Sequence, residues 1–314
     1  MIITQTPLRI SLLGGNTDFP KYFRKHGGAV LSATIDKYLY VIIKSRFDDE
    51  IWINYSKKEK VKSVDDIKHD LVREAMKLTA VKKGIEITFL SDIPSEGSGL
   101  GSSSAVVVGV LNALHQFRGE SVSARQLAEE ACRIEVDILK KPIGYQDQYA
   151  VAFGGFNLIE FDYMNVVRVK PIAPEEISES LMLFYTGITR SADKILSKMR
   201  LNKAILDKIK GEVYQKLDHI TDPIILGDLL DRYWALKKKL NKEVSNKKIN
   251  EMYSRALLYG ALGGKIIGAG GGGFLLLVVL PEDKKTIQYE LDEYRELPFR
   301  LSRFGSRVIF NINE

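Results

Sequence analysis

The sequence predicts an α+β protein, in which strand-like and helix-like stretches follow one another without the regular alternation of a parallel βαβ fold. Three features favour this class: a strand-like stretch at 2–13, an apolar helix pattern at 105–117, and a mostly helical, charged region at 191–262. The 314 residues suffice for one large domain or two ordinary ones. A shift in composition across 163–174 predicts two domains, residues 1–165 and 166–314.

The remaining elements follow from hydrophobic period and from helix and turn signals. Ser123 and Gln126 form a capping box that begins a helix ending near Lys140, before Pro142. Asp147 follows in a predicted loop. Further strands are predicted at 29–45, 85–90, 181–186 and 307–312, a hairpin at 153–161 and 166–171, helices at 64–78 and 284–295, and a glycine loop feeding a strand at 263–280.

Composition excludes several classes of protein. The single cysteine, Cys132, rules out an internal disulfide and a cysteine-rich metal site. No apolar run approaches the roughly 18 residues of a membrane span, and no signal-peptide pattern opens the chain, so we expect a cytoplasmic protein. The net charge of +6 fits either nucleic-acid binding or a pocket for anionic metabolites. Because no nucleic-acid-binding motif is present, we expect the second. The lysine clusters at 57–60, 82–83 and 237–239 are expected to be solvated faces.

A glycine–serine loop at 94–105 is the main candidate site. Its spaced glycines let the backbone approach a ligand, and its serines open an apolar helix whose N-terminal N–H groups suit a phosphate. A flexible loop before a helix is the alternative. The predicted ATP-binding residues are Gly97, Ser98, Gly99, Leu100, Gly101, Ser102, Ser103 and Ser104.

Two better-known phosphate loops do not fit. A Walker loop needs Ser or Thr after Gly-Lys, and Ile266 follows Lys265 here. A dinucleotide fingerprint needs a third glycine where Ser102 stands, and the glycine run at 268–273 leads into a strand instead of a helix.

Phosphoryl transfer also needs a metal ligand and a group that meets the attacking hydroxyl. Glu135 lies on a predicted helix at the edge of its apolar stripe, and Asp147 lies twelve residues later. A carboxylate on a helix can hold Mg²⁺, and a second one in a loop can meet the hydroxyl. For Glu135 alone, an ordinary solvated helix acid is the alternative.

The three segments 7–18, 94–105 and 265–274 resemble, in this order, the three motifs of the GHMP kinases, the family of galactokinase, homoserine kinase, mevalonate kinase and phosphomevalonate kinase. The resemblance spans nearly the whole chain. It implies an N-terminal domain like the second domain of ribosomal protein S5, a ferredoxin-like C-terminal domain, and an active site between them. It also implies ATP and Mg²⁺ as cofactors.

The resemblance implies roles for individual residues. Asp147 is the catalytic base, Arg9 stabilises charge near the transferred phosphate, and Ser103 and Glu135 hold Mg²⁺. For Arg9, a surface salt bridge is the alternative. The predicted substrate-binding residues are Gly15, Asn16, Thr17, Asp18, Gly144, Arg190, Gly270 and Gly271.

The sequences of segments 9–18, 27–31, 35–38 and 186–190 are similar to those of the D-glycero-D-manno-heptose 7-phosphate kinases of the family. Gly15 and Asn16 stand where galactokinases have Glu-His, which opens the sugar pocket. Arg190 suits a bidentate sugar phosphate, with a domain-interface ion pair as the alternative. We therefore expect a sugar 1-kinase acting on a heptose 7-phosphate. The sequence leaves the oligomeric state open, with a homodimer as one option. The alternatives are a fucokinase- or galactokinase-like enzyme and a non-catalytic sugar or nucleotide sensor.

Overall fold

Two β-sheets with helices packed on them make up the computed structural model, which describes residues 1–93, 97–173 and 177–312. The strands are β1 Ile2–Leu13, β2 Gly28–Ser45, β3 Ile51–Asn54, β4 Lys58–Val61, β5 Ile85–Ser91, β6 Phe156–Phe161, β7 Val167–Pro171, β8 Leu181–Tyr185, β9 Ala261–Ile266, β10 Phe274–Val279 and β11 Arg307–Asn311. The α-helices are α1 Pro20–His26, α2 Asp70–Leu78, α3 Ser102–Phe117, α4 Ala124–Cys132, α5 Gln146–Phe153, α6 Ala192–Leu196, α7 Lys203–Gln215, α8 Pro223–Leu240, α9 Lys247–Leu258 and α10 Lys284–Glu290.

The larger sheet joins both ends of the chain. Its order is β11-β1-β2-β5-β3-β4, and β6 pairs with β2 and with β7. β11 pairs antiparallel with β1, with Ile2 opposite Asn311. The domain division after residue 165 stays a prediction: β7 and β11 lie beyond it, and both belong to this first sheet.

Helix α3 packs across β1 and β2 and is buried on nearly every side, as its uniform run of valine, alanine and leucine predicts. Gly109 brings it close to β1, because a Cβ there would lie 2.9 Å from Thr6 Oγ1. The first residues of this helix, Ser102, Ser103 and Ser104, line the cleft described below.

The smaller sheet has the order β8-β10-β9, and α8 packs on β9. Gly263 is a glycine because a Cβ at that position would lie 2.0 Å from Gly227 O of α8. Among the described residues, no helix is both long and apolar enough to span a bilayer.

The structure corrects three sequence predictions. The loop prediction for Asp147 is wrong, since Asp147 lies in the first turn of α5; Tyr145 precedes that helix without a side-chain cap, so the sequence carried no N-cap signal. Residues 263–266, predicted as a glycine loop, belong to β9 Ala261–Ile266; their glycines are explained by close packing against neighbouring backbone. The predicted helix at 64–78 is a short 3₁₀ turn followed by α2.

Candidate active site

A cleft of about 290 Å³ opens between the larger sheet and the helices around the smaller sheet. Most of the predicted site residues line this cleft. They are Arg9, Gly15, Asn16, Asp18, Gly97, Ser98, Gly99, Gly101, Ser102, Ser103, Ser104, Glu135, Gly144, Asp147 and Arg190. Residues separated by up to 181 positions in the chain, from Arg9 to Arg190, therefore meet at one place.

Four predicted residues do not line the cleft. Thr17 is fully buried and donates its hydroxyl to backbone carbonyls, which holds the turn before α1. Leu100 is a core residue. Gly270 and Gly271 pack against Val244, and Gly271 N donates to Val244 O at 2.6 Å. These four residues shape the walls, and their direct contact with a ligand stays a prediction.

The glycine–serine loop, the candidate phosphate loop and called the phosphate loop below, ends at the N-terminus of α3. Gly97, Gly99 and Gly101 have φ values of 72°, 78° and 78°, a conformation that disfavours side chains. Ser102 begins α3, and the helix has no side-chain cap. Its first N–H groups have no intrahelical acceptor, so the loop presents donors and a positive dipole end to the cleft. Residues 94–96 of the predicted loop lie outside the described residues.

Arg9 and Asp147 form a bidentate ion pair at the floor of the cleft. Arg9 Nε donates to Asp147 Oδ1 at 2.8 Å and Nη2 donates to Oδ2 at 2.5 Å. Arg9 Nη1 also donates to Gly99 O at 2.5 Å, so this guanidinium joins the phosphate loop to the carboxylate. The Arg9 side chain is 4% exposed and the Asp147 side chain 31% exposed, which leaves the carboxylate open to the cleft. The surface salt bridge considered for Arg9 is therefore wrong.

Glu135 is fully buried and accepts hydrogen bonds from three neighbouring side chains. The donors are Ser103 Oγ at 2.6 Å, Ser104 Oγ at 2.7 Å and Gln148 Nε2 at 2.6 Å. Burial raises the pKa of this carboxyl, whereas Lys141 and the hydrogen bonds lower it. Residues Arg133–Ile138 form a π-helical continuation of α4, and Glu135 lies on its buried side, four residues after the buried Ala131. A solvated helix acid is thereby excluded.

Asp18 lines the cleft and accepts backbone N–H groups from Asn16 at 2.9 Å and Gln146 at 3.0 Å. Burial raises its pKa to about 6, with a smaller contribution from the charge of Asp147. The side-chain amide nitrogens of Asn16 and Gln146 are buried and have no hydrogen-bond partner. One acceptor and two free donors thus face a space that suits a polyhydroxylated ligand.

Arg190 extends along the phosphate loop. Its Nε donates to Gly270 O at 2.5 Å, and its buried Nη2 has no partner. A Cβ at Gly99 would lie 3.5 Å from that Nη2. Burial and the nearby Arg9 guanidinium lower the pKa of Arg190 to about 10. Because no carboxylate pairs with Arg190 among the described residues, the interface ion pair is not what holds it.

Comparison with known proteins identifies the family. The family model of the GHMP kinases N-terminal domain matches residues 67–155, and that of the GHMP kinases C-terminal domain matches residues 215–296. The D-glycero-alpha-D-manno-heptose 7-phosphate kinase of Campylobacter jejuni is 34% identical, over 90% of this chain and 91% of the relative. The chain belongs to the GHMP kinases.

Two further comparisons agree with this family. The L-fucokinase/L-fucose-1-P guanylyltransferase of Bacteroides fragilis is 28% identical, over 87% of this chain and 34% of the relative. A crystal structure of a D-glycero-D-manno-heptose 1-phosphate kinase from Bacteroides thetaiotaomicron is 27% identical, has a TM-score of 0.81, and covers all of both chains. The predicted α+β, two-domain GHMP kinase fold is thereby confirmed, as is a kinase that uses ATP.

Several residues of this GHMP kinase cleft were missed from the sequence. Lys237 and Tyr233 of α8 line it, and Tyr233 donates its hydroxyl to Gly15 O at 3.3 Å. Gln146 and Lys141 line it as well. None of these four residues belongs to one of the three glycine motifs. Lys237 stands in the lysine cluster 237–239 that was predicted to be a solvated face, and this prediction is wrong for Lys237, which is 2% exposed. Only its i, i+4 spacing from Tyr233 on an apolar stripe could have marked it.

The donors beside the phosphate loop of this GHMP kinase fit magnesium. Ser103 and Glu135 supply a hydroxyl and a carboxylate oxygen, which are hard ligands of the kind that Mg²⁺ prefers. Lys141 Nζ lies 4.0 Å from Glu135 Oε1 and 3.5 Å from Ser103 Oγ, so one cationic side chain stands at the edge of this pair. The described residues contain no cluster of three or more His, Cys, Asp or Glu side chains that could hold a metal alone. A metal ion here would need further ligands, which the nucleotide phosphates would supply.

Proposed function

We propose that this chain is an ATP-dependent kinase that phosphorylates the anomeric hydroxyl of a heptose 7-phosphate. The observation that carries the proposal is the Arg9–Asp147 pair, which lies between the phosphate loop and the polar groups around Asp18. A carboxylate at that position meets an acceptor hydroxyl on one side and the nucleotide on the other. The name of the Campylobacter jejuni relative supports a heptose phosphate as the acceptor.

In the proposed reaction, the anomeric oxygen forms a bond to the γ-phosphorus of ATP while the bond from that phosphorus to the β–γ bridging oxygen breaks. The products are ADP and the sugar 1-phosphate. The hydroxyl proton passes to the Asp147 carboxylate, which is open to the cleft. Arg9 orients that carboxylate through two hydrogen bonds and adds positive charge beside the transferred group.

Ser103 and Glu135 are the proposed ligands of Mg²⁺. When bound, the ion would neutralise charge on the nucleotide phosphates. The N–H groups at the start of α3 bind those phosphates, and the loop glycines allow the close approach that such binding needs.

The acceptor is proposed to lie over Asp18, with Asn16 and Gln146 donating to its hydroxyl groups through their free amide nitrogens. Arg190 is the proposed ligand of the acceptor phosphate, and its unpartnered Nη2 supports this role. Its position beside Gly97 and Gly99 makes the nucleotide phosphates the competing ligand for the same guanidinium. Location in the cytoplasm and a homodimeric state remain predictions from the sequence.

The test is an ATP-consumption assay with heptose 7-phosphate, heptose 1-phosphate, free heptose, fucose, galactose and mannose, followed by ³¹P NMR of the product. We expect the largest kcat/KM with heptose 7-phosphate and a new anomeric phosphate signal. The Asp147→Asn protein is the control for contaminating kinases. Preference for fucose or another neutral sugar would replace the acceptor in this proposal, and ADP release without any sugar product would overturn it.

A further inference from the structure

Lys237 is the one lysine of α8 that is both buried and in contact with the cleft. Its residue is 2% exposed, and it lines the cleft together with Tyr233, one turn earlier on the same helix. Lys239, two positions later, faces solvent. A buried ammonium group costs free energy unless a partner compensates it, so the position calls for an explanation.

The contacts of Lys237 within the chain leave most of its capacity unused. Its Nζ donates to Gly268 O, and an ammonium group has three donors. No carboxylate oxygen of the described residues forms an ion pair with it. The charged groups that face it come from several elements: Arg190 after β8, Arg9 on β1, Asp18 before α1, Asp147 on α5 and Lys265 on β9. Burial and the two guanidinium groups lower the pKa of Lys237 to about 7.

Lys265 is a useful contrast, because it is equally buried and does not line the cleft. Its Nζ donates to Ser11 O at 2.6 Å and to Leu12 O at 3.1 Å, and it lies 4.6 Å from the Tyr233 ring centroid. Two carbonyls and an aromatic face account for that lysine as a structural residue. Lys237 has a single carbonyl and an open side toward the cleft.

The position of Lys237 indicates which ligand group it meets. Lys237 contacts the carbonyl of Gly268. Gly268 packs on Gly99 of the phosphate loop, because a Cβ added at Gly268 would lie 2.8 Å from Gly99 Cα. Asp18 and Asp147 line the same cleft as Lys237, and their charges act on its pKa. Lys237 therefore faces the space that the phosphate loop and the candidate base share, where the phosphoryl group is proposed to pass from donor to acceptor.

We propose that Lys237 is a phosphate-binding residue of this kinase, whose ammonium group contacts the terminal phosphate of the nucleotide at the point of transfer. The inference rests on the proposed function and adds a residue from α8 to a site otherwise built from the phosphate loop, β1 and α5. Without a bound nucleotide, Lys237 is only partly protonated near neutral pH. Bound phosphate charge offsets the two guanidinium groups and restores the full positive charge of Lys237.

The test compares Lys237→Met with Lys239→Met, which removes the same charge from the exposed face of the same helix. With MgCl₂ present, the affinities for AMP-PNP and ADP are measured by calorimetry at pH 7. We expect Lys237→Met to weaken AMP-PNP binding about tenfold to a hundredfold, the range for one lost charge-assisted hydrogen bond, and to change ADP binding less than threefold. Lys239→Met should match the wild type for both nucleotides. Equal weakening of both nucleotides, or of neither, would overturn the proposal.

Two further measurements separate this role from a structural one. At pH 8.5 the wild type should take up close to one proton on binding AMP-PNP and none on binding ADP, as measured in two buffers of different ionisation enthalpy; equal uptake with both nucleotides contradicts the proposal. This measurement needs no variant, so it decides the matter even where Lys237→Met fails to fold. If Lys237→Met instead raises only the KM of the sugar phosphate, the residue binds the acceptor and the inference fails. Wild-type turnover of any sugar tests the proposed function independently.

Discussion

Replacing Asp147 by asparagine is the sharpest test of the transfer centre. The change keeps the shape of the side chain and removes its ability to take the hydroxyl proton. Loss of a general base typically costs about 10²- to 10⁴-fold in rate, which is about 3 to 5 kcal/mol of transition-state stabilisation. We therefore expect kcat to fall by two to four orders of magnitude at saturating ATP and sugar phosphate.

The same substitution also weakens a structural contact, and its size can be estimated from the geometry. Arg9 donates to both oxygens of Asp147, and asparagine offers only one acceptor oxygen. The loss of one charge-assisted bond beside a buried guanidinium predicts a decrease of about 1–3 kcal/mol in the free energy of unfolding. The protein should remain folded, with AMP-PNP affinity within about threefold of the wild type.

Asp48 provides a matched control. Arg46 Nε donates to Asp48 Oδ1 at 2.8 Å and Nη2 donates to Oδ2 at 2.6 Å, which repeats the Arg9–Asp147 geometry away from the cleft. Asp48→Asn should leave kcat unchanged in a coupled ADP-release assay. If Asp147→Asn keeps turnover within about tenfold of the wild type, Asp147 is not the base. A similar fall in both variants would attribute the loss to folding instead of chemistry.

Four further outcomes are expected. Ser103→Ala and Glu135→Gln should each lower activity in a magnesium titration, and the double variant should lose less than the sum of both effects, since the two side chains serve one ion; full additivity would mean separate roles. Arg190→Ala should reduce the preference for phosphorylated over free heptose more than tenfold in kcat/KM, whereas a raised KM for ATP with the preference intact would assign Arg190 to the nucleotide. The carboxylates hydrogen-bonded to both ring nitrogens of His115, Glu130 foremost, raise the pKa of His115 against the effect of burial. Protonated His115 therefore stabilises the fold at pH below about 6.5, and this contribution is lost as the pH rises through the folded pKa. Denaturant unfolding should show the decline in the wild type and not in His115→Gln. Acceptor affinity should fall as the pH falls through about 6, where Asp18 takes up a proton, and Asp18→Asn should bind acceptor weakly at every pH.

Short-range patterns in the sequence were enough to predict the loop and helix that line one part of the cleft. Spaced glycines followed by serines and an apolar helix describe a local structure, and the structure places that loop at the start of α3. The twelve-residue spacing of Glu135 and Asp147 was also informative, because both lie on the cleft. Family resemblance was needed for their roles, since neither residue has a local signal that distinguishes it from an ordinary helix acid.

Other features depend on contacts between distant parts of the chain. The glycines of β9 looked like those of a loop. They are needed because α8 packs closely on this strand, and Gly227 of α8, which contacts Gly263, lies 36 residues earlier in the chain. The apolar stripe of α4 places Glu135 near the buried face, but the hydrogen bonds from Ser103, Ser104 and Gln148 that hold its carboxylate come from α3 and α5. A pattern reports what a segment does by itself, whereas these positions are defined by the segments that pack against them.

Buried cations show the same limit most clearly, and they show where it matters for function. Lys237 and Lys265 are both buried, although their sequence contexts differ: one stands in a lysine run and the other in a glycine-rich strand. Their carbonyl partners, Gly268 for Lys237 and Ser11 for Lys265, become visible only in the folded chain. Because Lys265 has a complete set of internal partners and Lys237 does not, burial alone does not indicate a role in catalysis. Lys237 is buried, lines the cleft and keeps unused hydrogen-bond donors, and those donors are what favour a role in binding phosphate. The comparison of AMP-PNP with ADP tests that role.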